Sequence, residues 1–271
     1  MILDKLAESS RIRVMREKER VSLEEMKKRA LFLTEDQKSF PFEEALRKQD
    51  INFICEVKKA SPSKGVIAEN FPYVQIAKEY EKAGAACISV LTEPEYFLGK
   101  NEYLAAIAET VPLPIIRKDF TVDEYQIYQA KTIGASCVLL ICALLDADRL
   151  KQYLHICDSL SLSALVEAHD ETEIRMALDA GARMIGVNNR DLRTFEVDIH
   201  NSERLRSLVP EEILFVAESG IRDASDIQVL RDAKVNGVLI GETFMRSADK
   251  AGMLKRLRGE EMTEGSDRGQ I

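Results

Sequence analysis

Ile133-Gly134-Ala135-Ser136-Cys137-Val138-Leu139-Leu140 reads as the end of a helix, a glycine suited to a left-handed turn, and a short buried strand. The pattern recurs as Ala83-Gly84-Ala85-Ala86-Cys87-Ile88-Ser89-Val90, Ala180-Gly181-Ala182-Arg183-Met184-Ile185-Gly186-Val187 and Ala233-Lys234-Val235-Asn236-Gly237-Val238-Leu239-Ile240. The copies start roughly 50 residues apart, whereas one strand-helix unit needs only about 30, so each interval has room for a second unit. The extra strands are predicted at 53–58, 113–118, 162–167 and 213–218, alternating with the first four. Helical stretches follow, for example at 73–82, 122–133, 147–160, 171–180 and 225–232, with capping signals at Thr121-x-x-Glu124, Asp146 and Asp170. Eight such units within about 200 residues close most naturally into an α/β fold of the (β/α)8 TIM-barrel type, here over residues 49–258. An open doubly wound sheet is the competing arrangement, but no G-x-G-x-x-G follows any of these strands.

Outside the barrel, residues 1–48 are charged and helix-favouring, with Leu23, Met26, Ala30 and Leu33 at helical spacing and a capping box beginning at Ser22. They predict an N-terminal helical extension packed on the barrel. The polar tail from 259 to 271 is expected to be disordered.

Composition bounds the function. The 271 residues carry 46 Asp and Glu against 38 Lys and Arg, a net charge of −8, with 45% apolar and 31% charged residues. Those values suit a globular chain and exclude a disordered or collagen-like one. An acidic chain lacks the basic face that phosphate-backbone binding needs, so no nucleic-acid partner is expected. The longest apolar run, 137–145, falls well short of the ~20 residues of a membrane span, and the charged N-terminus cannot act as a signal-peptide core. No membrane partner is expected, and the predicted location is cytoplasmic. Cys55, Cys87, Cys137, Cys142 and Cys157 form no C-x-x-C pair and read as buried reduced thiols. His155, His169 and His200 lack metal-ligand spacing and read as surface or capping residues, so neither metal nor cofactor is expected.

Barrel chemistry sits at the carboxyl ends of the strands. There the sequence delivers Glu56 and Lys58, with Ser61 just beyond, then Lys118, Glu167, Asn188 with Arg190, and Glu218 with Ser219. Glu56 and Lys58 differ by two, so they share one side of their strand and should both face the barrel axis. Gly220 after the seventh strand and Gly241 after the eighth allow backbone N–H groups to cradle a phosphate. An ammonium beside a carbonyl oxygen can donate a proton as charge builds there, and a facing carboxylate can accept one. The residues by themselves therefore point to a cofactor-free lyase or isomerase acting on a small phosphorylated, carbonyl-bearing metabolite.

At these positions the chain resembles the indole-3-glycerol-phosphate synthase family of tryptophan biosynthesis. The matching segments are Glu56-Val57-Lys58-Lys59-Ala60-Ser61-Pro62-Ser63-Lys64-Gly65, Ile115-Ile116-Arg117-Lys118-Asp119-Phe120, Leu165-Val166-Glu167, Gly186-Val187-Asn188-Asn189-Arg190-Asp191-Leu192, Ala217-Glu218-Ser219-Gly220-Ile221 and Leu239-Ile240-Gly241-Glu242. The resemblance implies a decarboxylating lyase that turns 1-(2-carboxyphenylamino)-1-deoxyribulose 5-phosphate into indole-3-glycerol phosphate, carbon dioxide and water. It implies that Lys118 is the general acid, Glu167 a base or proton shuttle, Glu56 an aid to proton traffic and Lys58 a counter-charge to substrate. By the same resemblance Asn188 and Arg190 orient the substrate, Ser61 contacts it, and Ser219, Gly220, Gly241 and Glu242 form the phosphate cup. Phe97, Phe120, Leu139 and Leu192 match the apolar wall for the aromatic ring. Glu242 stands where some relatives have Ser, so its backbone rather than its carboxylate is the expected ligand. The implied form is monofunctional, a monomer or homodimer. Another phosphate-binding barrel, or one that has lost its chemistry, are the alternatives.

Overall fold

A computed structural model describes residues 2–34, 39–190 and 196–260. Its strands are β1 (Asn52–Val57), β2 (Cys87–Leu91), β3 (Ile115–Lys118), β4 (Cys137–Ile141), β5 (Ser163–Ala168), β6 (Met184–Asn188), β7 (Leu214–Glu218) and β8 (Gly237–Ile240). Each runs parallel to its sequence neighbours and β8 pairs back onto β1, which closes the sheet into the expected (β/α)8 barrel and leaves no open edge. A short hairpin of Ala60–Ser61 with Gly65–Val66 follows β1.

Strand alternation positions the site. Successive side chains leave a strand on opposite faces, so on β1 Phe53, Cys55 and Val57 join the apolar layer beneath the helices while Ile54 enters the barrel interior. Ile116, Leu139, Leu165, Val216 and Leu239 enter it likewise. Two residues beyond Ile54, Ile116, Leu165 and Val216 stand Glu56, Lys118, Glu167 and Glu218. The period that packs aliphatic side chains inside thus turns these ionic ones inward as well, one layer nearer the carboxyl end. The register keeps that layer level: Leu91 lies opposite Lys118, Ile141 opposite Glu167, and Asn188 opposite Glu218.

Helix α3 (Pro41–Leu46) brings Phe42 and Leu46, both fully buried, into the interior cluster. Each such side chain contributes about 1.5–3 kcal/mol of burial. The Asn52 amide, near the amino end of β1, donates to the carbonyls of Leu46 (3.1 Å) and Asn236 (3.0 Å) and ties that helix to the barrel.

Helix α1 (Ile2–Arg20) is held by charge. Arg13 Nη2 donates to both carboxylate oxygens of Asp119 at 2.8 Å, and Lys18 pairs with Asp123 at 2.7 Å. Asp119 is itself buried and also accepts from Arg117 (3.0 Å) and Thr92 (2.9 Å), so one carboxylate joins α1 to the ends of two strands. Helices α4 (Tyr73–Ala83), α5 (Asn101–Ala108) and α9 (His200–Arg206) follow β1, β2 and β6, and α2 (Leu23–Phe32) packs on α6 (Glu124–Thr132), with Met26 and Ala30 buried.

Several local readings change. Ser22 does cap α2, but Leu33 is half exposed, because the helix ends before it and the apolar stripe ends with it. Helix α6 is capped by Asp123, whose side chain accepts from Tyr125 N, not by Thr121 two residues earlier. Asp146 and Asp170 cap α7 (Ala147–Ser159) and α8 (Glu171–Asp179) as expected. Gly84, Gly134 and Gly181 all take left-handed backbone, and in the fourth repeat Lys234 adopts it without glycine at φ 59°. Helix α12 (Lys250–Arg258) ends at a left-handed Gly259; of the predicted tail 259–271, residues 259 and 260 are described and 261–271 lie outside the described residues.

Candidate active site

A cavity of about 740 Å³ opens at the carboxyl ends of the strands, a size suited to a small metabolite. Its floor is ionic. Lys118 Nζ on β3 lies 3.0 Å from Glu218 Oε2 on β7 and 3.3 Å from Glu167 Oε2 on β5. Lys58 Nζ lies 2.5 Å from Glu56 Oε1, both reaching in from the end of β1. Glu56, Glu167 and Glu218 are almost fully buried, whereas both ammonium groups keep some exposure toward the cavity.

Burial opposes charge throughout this floor. At Lys118 the carboxylates of Glu218, Glu167 and Glu56 outweigh burial and hold the ammonium well above the ordinary lysine value. At Glu167 burial is outweighed by Lys118 and His169, so its carboxyl lies well below the usual range. Glu218 goes the other way: burial, joined by the charges of Glu167 and Glu56, overcomes Lys118 and raises its carboxyl. Its Oε1 finds no hydrogen-bond partner among the described residues, which suits an oxygen inclined to carry a proton. Two carboxyls on one ammonium are thereby driven apart, one toward base and one toward acid.

Two glycines make room for this arrangement. A Cβ on Gly186, which faces inward from β6, would stand 2.5 Å from Glu218 Oε1. A Cβ on Gly241 would overlap Glu56 Oε1 and come within 2.8 Å of Lys58 Nζ. Gly241 therefore serves the ion pair as well as the loop after β8.

Beyond β7, Ser219 and Gly220 are both left-handed, at φ 67° and 81°, and the next residues lead toward α10 (Ala224–Asp232). Asn189 holds this turn: its amide donates to Ser219 O at 3.1 Å, while its Oδ1 accepts from Ser202 N and Oγ. Gly241 precedes the short helix α11 (Glu242–Arg246). The Glu242 carboxylate is engaged by Arg246 at 3.1 Å and by Lys64 at 3.8 Å, which leaves its backbone for any anion. Arg222 and Arg246 add cations to the same wall.

The opposite wall is apolar. Phe97 and Phe120 face each other with ring centroids 6.1 Å apart and planes tilted by 43°, and Leu139 lines the floor nearby. The buried Glu93 carboxylate shapes this wall by accepting from the backbone N–H of Glu95, Tyr96 and Phe97 at 2.8–3.0 Å. Ile2 and Leu6 bring α1 to the cavity rim.

Glu56, Lys58, Ser61, Phe97, Lys118, Phe120, Leu139, Glu167, Asn188, Arg190, Ser219, Gly220, Gly241 and Glu242 all line this one cavity. Leu192 lies outside the described residues. Arg190 N donates to Asn188 Oδ1 at 3.0 Å, which fixes the Asn188 side chain at the end of β6. The sequence reading left Glu218, Glu93, Asn189 and α1 without roles in the site. The bland reading of the histidines fails at His169, whose Nε2 sits 3.3 Å from Glu167 Oε1. Its separation of two from Glu167 at the end of a strand was the available signal. Among the described residues no group of three or more His, Cys, Asp and Glu side chains could hold a metal ion.

Fold and cavity together define a closed (β/α)8 barrel with an ammonium-carboxylate cluster at the catalytic end of its strands. Residues 3–257 match the model of the family described as indole-3-glycerol phosphate synthase, and the chain belongs to that family. An indole-3-glycerol phosphate synthase of Ruminiclostridium cellulolyticum is 60% identical over 259 residues, covering 96% of this chain and 99% of its own. Another, from Lachnoclostridium phytofermentans, is 51% identical, covering 95% and 99%. Among solved structures, 3-hexulose-6-phosphate synthase from Salmonella typhimurium superposes with a TM-score of 0.64 at 14% identity, covering 78% of this chain and 98% of its own. Thiamine phosphate pyrophosphorylase from Pyrococcus furiosus does so with a TM-score of 0.59 at 16% identity, covering 79% and 96%. At that identity the two structures share the barrel and no more.

Proposed function

We infer that this chain converts 1-(2-carboxyphenylamino)-1-deoxyribulose 5-phosphate into indole-3-glycerol phosphate, carbon dioxide and water. The observation that carries the reading is the Lys118 ammonium held between Glu167 and Glu218 on the floor of a cavity with one aromatic wall and one cationic wall.

The ring carbon bearing the carboxylate must attack the ribulose carbonyl, whose oxygen then becomes an alkoxide. An alkoxide is a stronger base than the neutral lysine amine, so Lys118 can give its proton there even though its ammonium is stabilised. Loss of carbon dioxide returns the electron pair to the ring. Departure of the new hydroxyl as water needs one proton delivered to oxygen and one removed from the neighbouring carbon. Glu167, held ionised, suits the removal; Glu218, inclined to carry a proton, suits the return of a proton to Lys118. Glu56 assists this traffic, and Lys58 balances the substrate's negative charge. Phe97, Phe120 and Leu139 hold the aromatic ring, while Asn188, Arg190 and Ser61 orient the sugar chain and carboxylate. The backbone at Ser219, Gly220, Gly241 and Glu242 receives the phosphate. No step calls on a metal or cofactor.

The proposed assembly is a monomer or homodimer. Five unpaired thiols suit the reducing cytoplasm. The test is to mix purified chain with the carboxyphenylamino-deoxyribulose phosphate and follow indole fluorescence. Appearance of the indole chromophore of indole-3-glycerol phosphate at enzymatic rates is expected, and its absence overturns the assignment.

A further inference from the structure

Glu167 has a second neighbour that the reaction scheme does not use. His169 lies two residues on, just past β5, and its ring is gripped from both sides. Nδ1 sits 3.0 Å from Glu173 Oε2 on α8, and Nε2 sits 3.3 Å from Glu167 Oε1. The grip extends to the backbone, because His169 N donates to the same Glu173 oxygen at 2.8 Å. Nδ1 is hydrogen-bonded to Glu173, whereas Nε2 meets Glu167 Oε1 at ion-pair distance without hydrogen-bond geometry; with a carboxylate beside each nitrogen, the imidazolium is the favoured form. The two oxygens of Glu167 are divided: Oε1 faces His169, and Oε2 faces Lys118.

We propose that His169, anchored by Glu173, is a positioning residue that fixes Glu167 Oε1 and so presents Oε2 to Lys118 and the cavity. The proposal rests on the assignment of Glu167 to proton transfer above. The charged groups facing His169 are Glu167 on β5 and Glu173 within α8; Asp170 caps that helix, and the Cys142 thiol in the turn after β4 donates to Glu173 O at 3.7 Å. All the ionised ones are anions. Burial lowers the tendency of the ring to protonate, but Glu167 and Glu173 outweigh it and push its pKa up to about 10. The ring is then a fixed cation at every physiological pH, not a switch. Its effect falls on Glu167, whose carboxyl is held low beside that of Glu218, which is raised.

The experiment combines ring titration with kinetics. In the wild-type chain the His169 imidazole signal, assigned by its loss in His169→Ala, should remain protonated well above pH 8. In Glu173→Gln it should titrate at least one pH unit lower. A wild-type ring that titrates near the ordinary histidine value overturns the proposal, and this readout needs no catalysis. In His169→Ala we expect kcat to fall tenfold or more with KM within about threefold, and the acid limb of the kcat profile to move up by at least one pH unit. His169→Gln, which keeps a donor but no charge, should recover part of kcat while leaving the limb shifted. A His169→Ala profile that superimposes on wild type overturns the proposal even if kcat is lower. If the wild-type chain forms no indole-3-glycerol phosphate, the assigned reaction fails, whereas normal wild-type turnover with an unmoved limb fails His169 alone.

Discussion

Replacing Lys118 with alanine removes the one ammonium shared by Glu167 and Glu218, and the structure sets both the size and the pH dependence of the loss. General-acid assistance of this kind supplies about 10²–10⁴ in rate, or ~2.7–5.5 kcal/mol of barrier at 1.36 kcal/mol per decade. We therefore expect kcat to fall by that factor or more. Stripping one partner from a buried ion pair costs ~3–5 kcal/mol; the lower end applies here, because Glu218 is already inclined to take up a proton. The sign with pH follows from the carboxyls. In the wild-type chain Glu167 is lowered by Lys118 and His169 despite burial, so its contribution to stability is present above its unfolded value and lost as pH falls. Without Lys118, Glu167 keeps only His169 against burial, and Glu218 keeps burial and the charge of Glu167, so both carboxyls move upward. A raised carboxyl stabilises below its unfolded value and loses that stability as pH rises through its folded value. The variant should accordingly be less stable than wild type already at pH 5, where the Glu167 contribution is present, and fall further behind it toward pH 8. Indole fluorescence measures the rate, and urea unfolding across that range measures the stability. Turnover within tenfold of wild type would remove Lys118 from the chemistry, and a stability difference independent of pH would refute the charge assignment.

Other outcomes follow from the same geometry. Glu167→Gln should lower kcat by at least 10² with KM little changed, and unchanged turnover in steady-state assays would end its role in proton transfer. Gly186→Ala places a methyl against Glu218 Oε1, so we expect a loss of turnover of about tenfold to a hundredfold from misplacement near the reacting groups; wild-type kinetics would mean that Glu218 is free to move. Arg13→Met should cost about 1.5–3 kcal/mol, the usual worth of a charged hydrogen bond, seen as a lower urea midpoint, and an unchanged midpoint would mean that α1 is not held by Asp119. Inorganic phosphate should compete with substrate, and Gly241→Ala should weaken that competition by closing the loop and displacing the Glu56-Lys58 pair; competition equal to wild type would place the phosphate elsewhere.

The barrel was legible because its evidence is periodic. Four copies of a helix-to-strand junction, and a strand between each, leave few ways to close the sheet. The inward ring was legible for the same reason: Glu56, Lys118, Glu167 and Glu218 share the face of the aliphatic residues two positions earlier, so burial of one implies inward placement of the other. What the pattern could not give is pairing across the barrel. Lys118 meets Glu218 and Glu167 through space, with about 50 to 100 residues between them in sequence, and nothing local says which carboxylate carries a proton. His169 was misread for a related reason, since its partner Glu173 belongs to the next helix and its other partner to the strand before. Glu93 and Asn189 act on backbone amides and carbonyls of loops, whose conformation no residue pattern specifies. Thr121 lost the capping position to Asp123, two residues nearer the helix, because both offer a side-chain oxygen and only the backbone decides between them.

The central claim is that Lys118 and Glu167 face a single bound molecule whose phosphate lies on the cationic wall and whose aromatic ring lies on the apolar one. A crystal structure of the Glu167→Gln variant with the carboxyphenylamino-deoxyribulose phosphate tests it most directly. The account predicts phosphate at the amides of Gly220 and Gly241, the ring against Phe97 and Phe120, and Lys118 Nζ within about 3.2 Å of the ribulose carbonyl oxygen. A substrate bound with that oxygen turned away from Lys118, or with its phosphate outside the loops after β7 and β8, would contradict it.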